Sequence, residues 1–313
     1  NMRRNGTTST MRTLGSAMVL VIAYWSWPAC ALETVKVTEG IYAFVGEKQQ
    51  RSAKNLANNA TFGLIVADEG AVLVDPGGSW NGAVALHAAV LKVTDTPVRF
   101  VINTGGQDHR WLGNGYWRKK GATIIASNAA VADQKERGSL QLTMLNQLLG
   151  DELTGTDPAY ADVTFDDAFT LKLGNLTVQI RHPGQAHTPG DAFVWVPAKG
   201  TVFTGDIVYV ERLLGVMAFS SSKSWLAAFE ALAALEPKHV VPGHGAPTTL
   251  SRAKAETYDY LVSLRKQIGE HIENGGDMIG AAKIDQSAFK HLELFDALAG
   301  RNAQAVFAEM EFE

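Results

Sequence analysis

The stretch VINTGGQDHRWLGNGYW, Val101 to Trp117, joins a run of strand formers to a helix-prone segment through a short, unusually polar loop. The apolar residues before it, in VRFVINT (98–104), have the spacing of a buried strand. The loop then places Gly105, Gly106, Gln107, Asp108, His109 and Arg110 in succession. Asp108 and His109 are residue types that hold metals, whereas Arg110 carries a charge that repels them.

Outward from this loop, strand and helix signals are arranged in two similar halves. TVKVTEGIYAFVG (34–46) and TFGLIVADEGAVLVDPGG (61–78) are β-rich runs broken by Glu-Gly turns, as in hairpins. EKQQRSAKNLANNA (47–60) between them reads as a polar loop. WNGAVALHAAVLKVT (80–94) has apolar residues at helical spacing. After the loop, TIIASN (123–128) is a strand and Ala129 to Gly150 a helix. Four more β-rich runs follow, VTFDDAFTLKLGNLTVQIRHPG (163–184), AFVWVP (192–197), TVFTGDIVYV (201–210) and HVVPGHG (239–245), with the helix SWLAAFEALAAL (224–235) before the last. A helix-forming tail begins at about Ser251. Two β-then-α halves imply an α/β (α+β) fold with sheets inside and helices outside.

The chain of 313 residues is 46% hydrophobic, enough to bury a large core. A net charge of -4 provides no basic field for a phosphate backbone, so nucleic acid is not an expected partner. Residues 1–31 read as a signal peptide: Arg3, Arg4 and Arg12, the apolar run AMVLVIAYWSW, then Ala29 and Ala31 in A-x-A spacing. Cleavage after Ala31 leaves residues 32–313 as a single domain with a helical C-terminal segment (about 251–313), periplasmic or secreted, and not membrane-bound. The alternatives are an uncleaved anchor and lipid modification of Cys30. Cys30 is the sole cysteine, so histidines and carboxylates must carry any metal chemistry of the mature chain.

Four loops at strand ends concentrate such residues: Asp75 in LVDPGGS, the opening loop, GQAHTPGD with FTGD (His187, Asp191, Asp206), and His244 in VVPGHG. Their order and spacing resemble those of the metallo-β-lactamase fold superfamily, whose loops read D-x-G, N-T-H-x-H-x-D-H-x-x-G-N, G-x-x-H-T-x-G-D, F-x-G-D and P-G-H-G. The resemblance implies a four-layer αββα sandwich with zinc bound in a cleft along one edge. Within the superfamily, YAFVG, NNATFGLIVADEGAVLVDPGGS, TDTPVRFVINT and RNAQAVFAEMEFE look closest to the exported quinoprotein relay system zinc metallohydrolases. That likeness implies a quinoprotein partner.

Aligned without gaps, the family's first two loop histidines fall on Gly105 and Gln107, its aspartate on His109 and its last histidine on Arg110. The first metal site then keeps His187 and Asp206 with at most a weak amide oxygen from Gln107, short of the three protein ligands of a catalytic zinc. The second becomes His109, Asp206 and His244, a His₂-carboxylate set suited to zinc or iron. Arg110 opposes it: a unit charge about 4 Å from a divalent ion, at an effective dielectric of about 20, costs roughly 8 kcal/mol. The two can coexist only if the Arg110 side chain swings away; otherwise Arg110 pairs with Asp206, supplies the missing charge and leaves a metal-free site. A one-residue slip instead makes Asp108-His109 the family's D-H pair and adds Asp108 to the site. Thr188 and Asp191 are expected to brace the His187 loop, and Asp75 and Gln107 to line the site.

Two functions follow from these readings. One is a hydrolase with one metal ion rather than two, in which Asp206 or Asp108 orients a metal-activated water toward an ester, amide or related bond of a small-molecule substrate. The other is a metal-free family member that binds a small periplasmic ligand. A β-lactamase in the narrow sense is a further alternative, since a fold does not fix a substrate. Trp111 and Trp117 read as core residues rather than as the floor of a pocket. His87, His182, His239, His271 and His291 have no Gly-rich setting and read as surface or core histidines.

Overall fold

The computed structural model describes residues 32–313, together with Met2 and Gly6; the signal segment proposed for residues 1–31 therefore falls outside the described residues, those two positions aside. Alternation of apolar side chains produces two sheets. The first has strands β1 (Glu33–Thr38), β2 (Ile41–Val45), β3 (Thr61–Ala67), β4 (Gly70–Val74), β5 (Val98–Ile102), β6 (Thr123–Ser127) and β7 (Val163–Phe165), paired in that order. It is antiparallel from β1 to β4 and parallel from β4 to β7. The second contains β8 (Ala168–Leu173), β9 (Leu176–Arg181), β10 (Phe193–Val196), β11 (Thr201–Phe203) and β12 (His239–Val241), ordered β12-β11-β10-β9-β8, with only β11 and β12 parallel.

Ile41, Ile65, Val72 and Val74 of the first sheet meet Val178, Ile180, Val194 and Phe203 of the second in one buried layer. The alternate residues Phe44, Leu64 and Leu73 face α1 (Trp80–Val90) and α2 (Asn114–Lys119) through Ala83, Leu86 and Trp117. On the far side, Phe193, Val202 and Val240 pack against α4 (Ser222–Ala233), α6 (Asp259–Glu273) and α8 (Phe295–Met310). The layers are therefore α, β, β, α, as the period-two patterning requires. Among the remaining helices, α3 (Asn128–Leu149) lies beside the opening loop, and α5 (Leu250–Ala253) and α7 (Met278–Ala281) are short. No described helix is long and apolar enough to cross a membrane.

Helix starts follow local chemistry. Ser79, Ser127 and Ser221 each accept a hydrogen bond from the backbone N–H three residues on, so α1, α3 and α4 begin there. The segment 47–60 contains no strand or helix, but it is packed rather than merely polar. Asn55, Ala57, Asn58 and Asn59 are buried, and the Asn58 amide bonds Gly78 N and Gly82 O. Trp111 and Trp117 are wholly buried, and their indole N–H groups donate to Gln141 Oε1 and Pro76 O at 2.9 Å.

Gly63, in the middle of β3, shows how the sheets set the site. A Cβ there would overlap the Phe203 ring, and Phe203 ends the strand that leads to Asp206. Gly63→Ala is expected to lower stability by about 1–3 kcal/mol through overpacking. Urea unfolding checks this, and a change below about 0.5 kcal/mol would mean that the ring moves aside freely.

Candidate functional site

Because β4 runs parallel to β5, and β11 to β12, the loops leaving these four strands emerge on one edge of the sandwich. They bring Asp75, the 103–114 loop, Asp206 and His244 together. Arg110 lies at the centre with no exposed surface. Its Nη1 donates to Asp75 Oδ2 at 2.9 Å and Thr61 O at 3.1 Å, and its Nη2 to Asp206 Oδ1 and Gly243 O, both at 2.8 Å. Burial works to lower the Arg110 pKa, but the charges of Asp206 and Asp75 more than offset it, so the guanidinium stays charged.

Asp206 is the second hub. Its Oδ1 also receives His244 Nε2 at 3.0 Å. Its Oδ2 lies 3.4 Å from His109 Nε2, and neither of these two buried atoms has a hydrogen-bond partner. Burial alone would raise the Asp206 carboxyl, yet Arg110 and His109 hold it well below the usual carboxylate range. The histidine rings of 109 and 244 stand edge to face at 5.0 Å. One ligand atom from each of His109, Asp206 and His244 falls within 4.8 Å of the others, a donor set able to hold a divalent ion.

The other residues expected at the site fall into different positions. Asp108 does not face the ion position: its two oxygens take Arg51 Nε and Nη2, both at 2.6 Å, and Oδ1 also accepts His109 N at 2.8 Å. This carboxylate backs His109 instead, with Oδ1 at 3.1 Å from Nδ1. His187 is not part of the three-residue cluster. Its Nδ1 is 2.8 Å from Gly215 O, its ring sits among Tyr209, Phe219 and Trp225, and burial pushes its pKa down to about 4. Gln107 is half-buried, with Nε2 at 3.5 Å from Asp108 Oδ1.

Gly105 cannot be replaced by a ligand without rebuilding its surroundings. A Cβ there would lie 2.5 Å from Asp191 Oδ1 and 3.1 Å from Thr188 Oγ1. Thr188 donates through both N and Oγ1 to Asp191, and Gly106 N reaches Thr188 Oγ1 at 3.3 Å. Thr188 and Asp191 thus fill the space beside Gly105 as well as bracing the His187 loop.

Three residues of the site were not singled out in the sequence. Arg51 comes from the packed 47–60 loop. Tyr209 stacks on His244 at 4.4 Å, and burial, then Asp206, raises its phenol well above the usual range. Arg212 places Nη1 at 3.3 Å from His244 Nδ1. Nothing in a polar loop or in YVERLLG marks these as site residues, because their partners are 32 to 57 positions away in sequence.

His109, Asp206 and His244 offer a donor set for one ion. Two ligand atoms bound to the same zinc at about 2.0–2.2 Å lie about 3.3–3.5 Å apart, the separation of the two unpartnered atoms. The charge of Arg110, counted alone, opposes an ion; Asp75 on its other nitrogen contributes an opposite effect of the same order, leaving Asp206 as net negative charge. On the Gly105 side only His187 and Asp206 remain.

A family model described as the metallo-beta-lactamase superfamily matches residues 57–244. Among solved structures, a metallo-beta-lactamase from Pontibacter korlensis is similar at 22% identity, covering 74% of this chain and 99% of that one, with a TM-score of 0.60. The DIM-1 metallo-beta-lactamase matches at 19% identity over 72% of this chain and 95% of its own, with a TM-score of 0.57. TMB-1 matches at 17% identity over 73% and 96%, with a TM-score of 0.56. At these identities the likeness to solved structures is one of fold.

Arg110→Met would leave the Asp75 and Asp206 carboxylates buried without their cation. It is expected to cost about 3–5 kcal/mol in urea unfolding at neutral pH. A loss below about 1 kcal/mol would show that Arg110 is not what neutralises them.

Proposed function

Because the chain belongs to the metallo-beta-lactamase superfamily, we propose that it is a hydrolase that works with a single divalent metal ion held by His109, Asp206 and His244. The observation that carries this reading is the pair of buried atoms without hydrogen-bond partners, His109 Nε2 and Asp206 Oδ2, at the separation of two ligands to one ion. When bound, the ion supplies Lewis acidity, polarising a carbonyl and making water a nucleophile near neutral pH. The chain's own residues prepare the place. Asp108, clamped by Arg51, orients the His109 ring. Arg110 holds Asp206 by one oxygen and leaves the other free. Tyr209 stacks on the His244 ring, and burial keeps its phenol protonated.

Zinc suits the donor set, and iron is the alternative. The substrate class is a small molecule with an ester, amide or related bond. The relatives of similar fold are named as β-lactamases, which makes a β-lactam one member of that class to assay. Kinship with the quinoprotein relay hydrolases, a quinoprotein partner and export to the periplasm or beyond complete the reading, resting on the sequence features described above. A metal-free ligand binder is the second reading, favoured by the arginines that already hydrogen-bond Asp206 and His244.

Elemental analysis of the protein purified without chelator, and again after zinc loading, decides between them. One ion per chain is expected, lost in His109→Ala and Asp206→Asn and kept in His291→Ala, whose residue is exposed. No ion after loading, or equal retention in all three variants, would overturn the hydrolase reading in favour of the binder.

A further inference from the structure

Helix α3 turns one face inward and leaves the opposite face open to water. On the inner face Gln134 and Gln141 donate to Gly105 O at 3.2 Å and Gly106 O at 2.8 Å, and Leu145 and Leu149 are buried. On the outer face Leu140, Met144 and Leu148 are 61%, 54% and 47% exposed. Spaced by four residues, they form one apolar ridge along the helix surface. The neighbouring row is Ser139, Thr143 and Gln147, and its first two members are small. Thr143 Oγ1 donates back to Ser139 O at 2.9 Å, which keeps that row low, so a groove runs beside the ridge. Beyond Thr143 and Gln147 a cavity of about 720 Å³ opens between α3 and the 150–156 turn.

Charge is also missing from this face. From Gly138 to Gly150 the sequence has no charged residue, although 19% of the chain is charged and most of the outer face is exposed. An exposed helix face is normally charged or polar, and an aligned apolar row on one marks a surface that something covers. A lipid surface would call for Trp, Tyr and a basic rim around the ridge, and the 138–150 stretch has none of these. The ridge is instead symmetric about Met144, with Leu140 and Leu148 four residues to either side. Asp151 and Glu152 stand at one end only, and Lys135, Glu136 and Arg137 at the other.

We propose that the outer face of α3 is a self-association surface, on which two copies of this chain pair with antiparallel helices about a two-fold axis at Met144. A two-fold contact brings a patch against itself, so its centre must be free of like charges. In this arrangement each Leu140 meets the partner's Leu148, and each ridge enters the groove beside the other, the packing that crosses helices at about −50°. The acidic ends are kept apart and the helix dipoles oppose one another, whereas a parallel pair would bring Asp151 and Glu152 against their own copies. One helix from each copy covers less than the roughly 1,600 Å² of a standard interface. The pairing is therefore reversible, and it does not depend on the metal site.

The test is sedimentation of the mature chain, residues 32–313, over a concentration series. The mass is expected to rise from monomer toward dimer with a midpoint on the order of 10–100 μM. M144K sets two ammonium groups on the axis and is expected to weaken pairing at least about tenfold. L140K and L148E are each expected to weaken it as well. Combined in one chain, they place each lysine opposite a glutamate of the other copy, and pairing is expected to return to within about threefold of the unmodified protein. All three positions are exposed, so unfolding midpoints are expected to stay unchanged, and recovery in the double variant excludes misfolding as the cause of the single losses. A monomer at every concentration, a dimer that M144K leaves intact, or no recovery in the double variant overturns the proposal. Binding of a monomeric chain to phosphatidylcholine vesicles, lost in M144K, overturns it in favour of a lipid surface.

Discussion

The double ion pair of Arg110 is the interaction on which the edge of this molecule depends. Its guanidinium donates to Asp75 in the loop after β4 and Thr61 O in β3 on one side, and to Asp206 and Gly243 O in the loops after β11 and β12 on the other. It therefore ties the two sheets together where their loops meet. Three charges with almost no exposed surface are tolerable only because each satisfies the others. The position of Asp206, and through it the spacing to His109 and His244, follows from this clamp.

The same logic repeats around the site. Asp108 is held by Arg51 in a two-point pair, which fixes the peptide that carries His109. Asp191 has no arginine; it is satisfied by Thr188, and burial, then the neighbouring Asp206, raises its carboxyl well above the usual range. Both Asp191 oxygens are taken up by Thr188, and they fill the space beside Gly105 where a family histidine would stand.

How far the sequence could be read depended on the reach of each contact. Asp75, His109, Asp206 and His244 stand at strand ends in short Gly-rich loops, and those loops are local signals. Sheets inside and helices outside were legible from the β-then-α order of the runs, and the four-layer αββα form from the resemblance of the loops to the metallo-β-lactamase fold. The ion pair of Arg110 with Asp206 could be anticipated from chemistry alone, but its second partner, Asp75, could not, although that partner changes the sign of the argument about a metal. Arg51 and Arg212 lie in segments, near 50–60 and 211–222, that could be expected to shape a pocket but whose composition singles out no residue; the fold brings them and Tyr209 in from a packed loop and a strained turn. Asp108 was misleading for the opposite reason: beside a histidine in sequence it looks like a ligand, and only Arg51 shows that it faces away.

A carboxylate that bridges two ions divides its oxygens between them, and both halves can be emptied. Here one oxygen of Asp206 is given to an arginine whose charge is held, against the cost of burial, by the two carboxylates beside it. Asp206 consequently keeps its negative charge and orientation with or without a metal, and only its Oδ2 face, toward His109, remains to be used. Any chemistry at this edge must therefore take place on the side lined by His109, His244 and Tyr209. That is also the side on which Arg212 approaches His244.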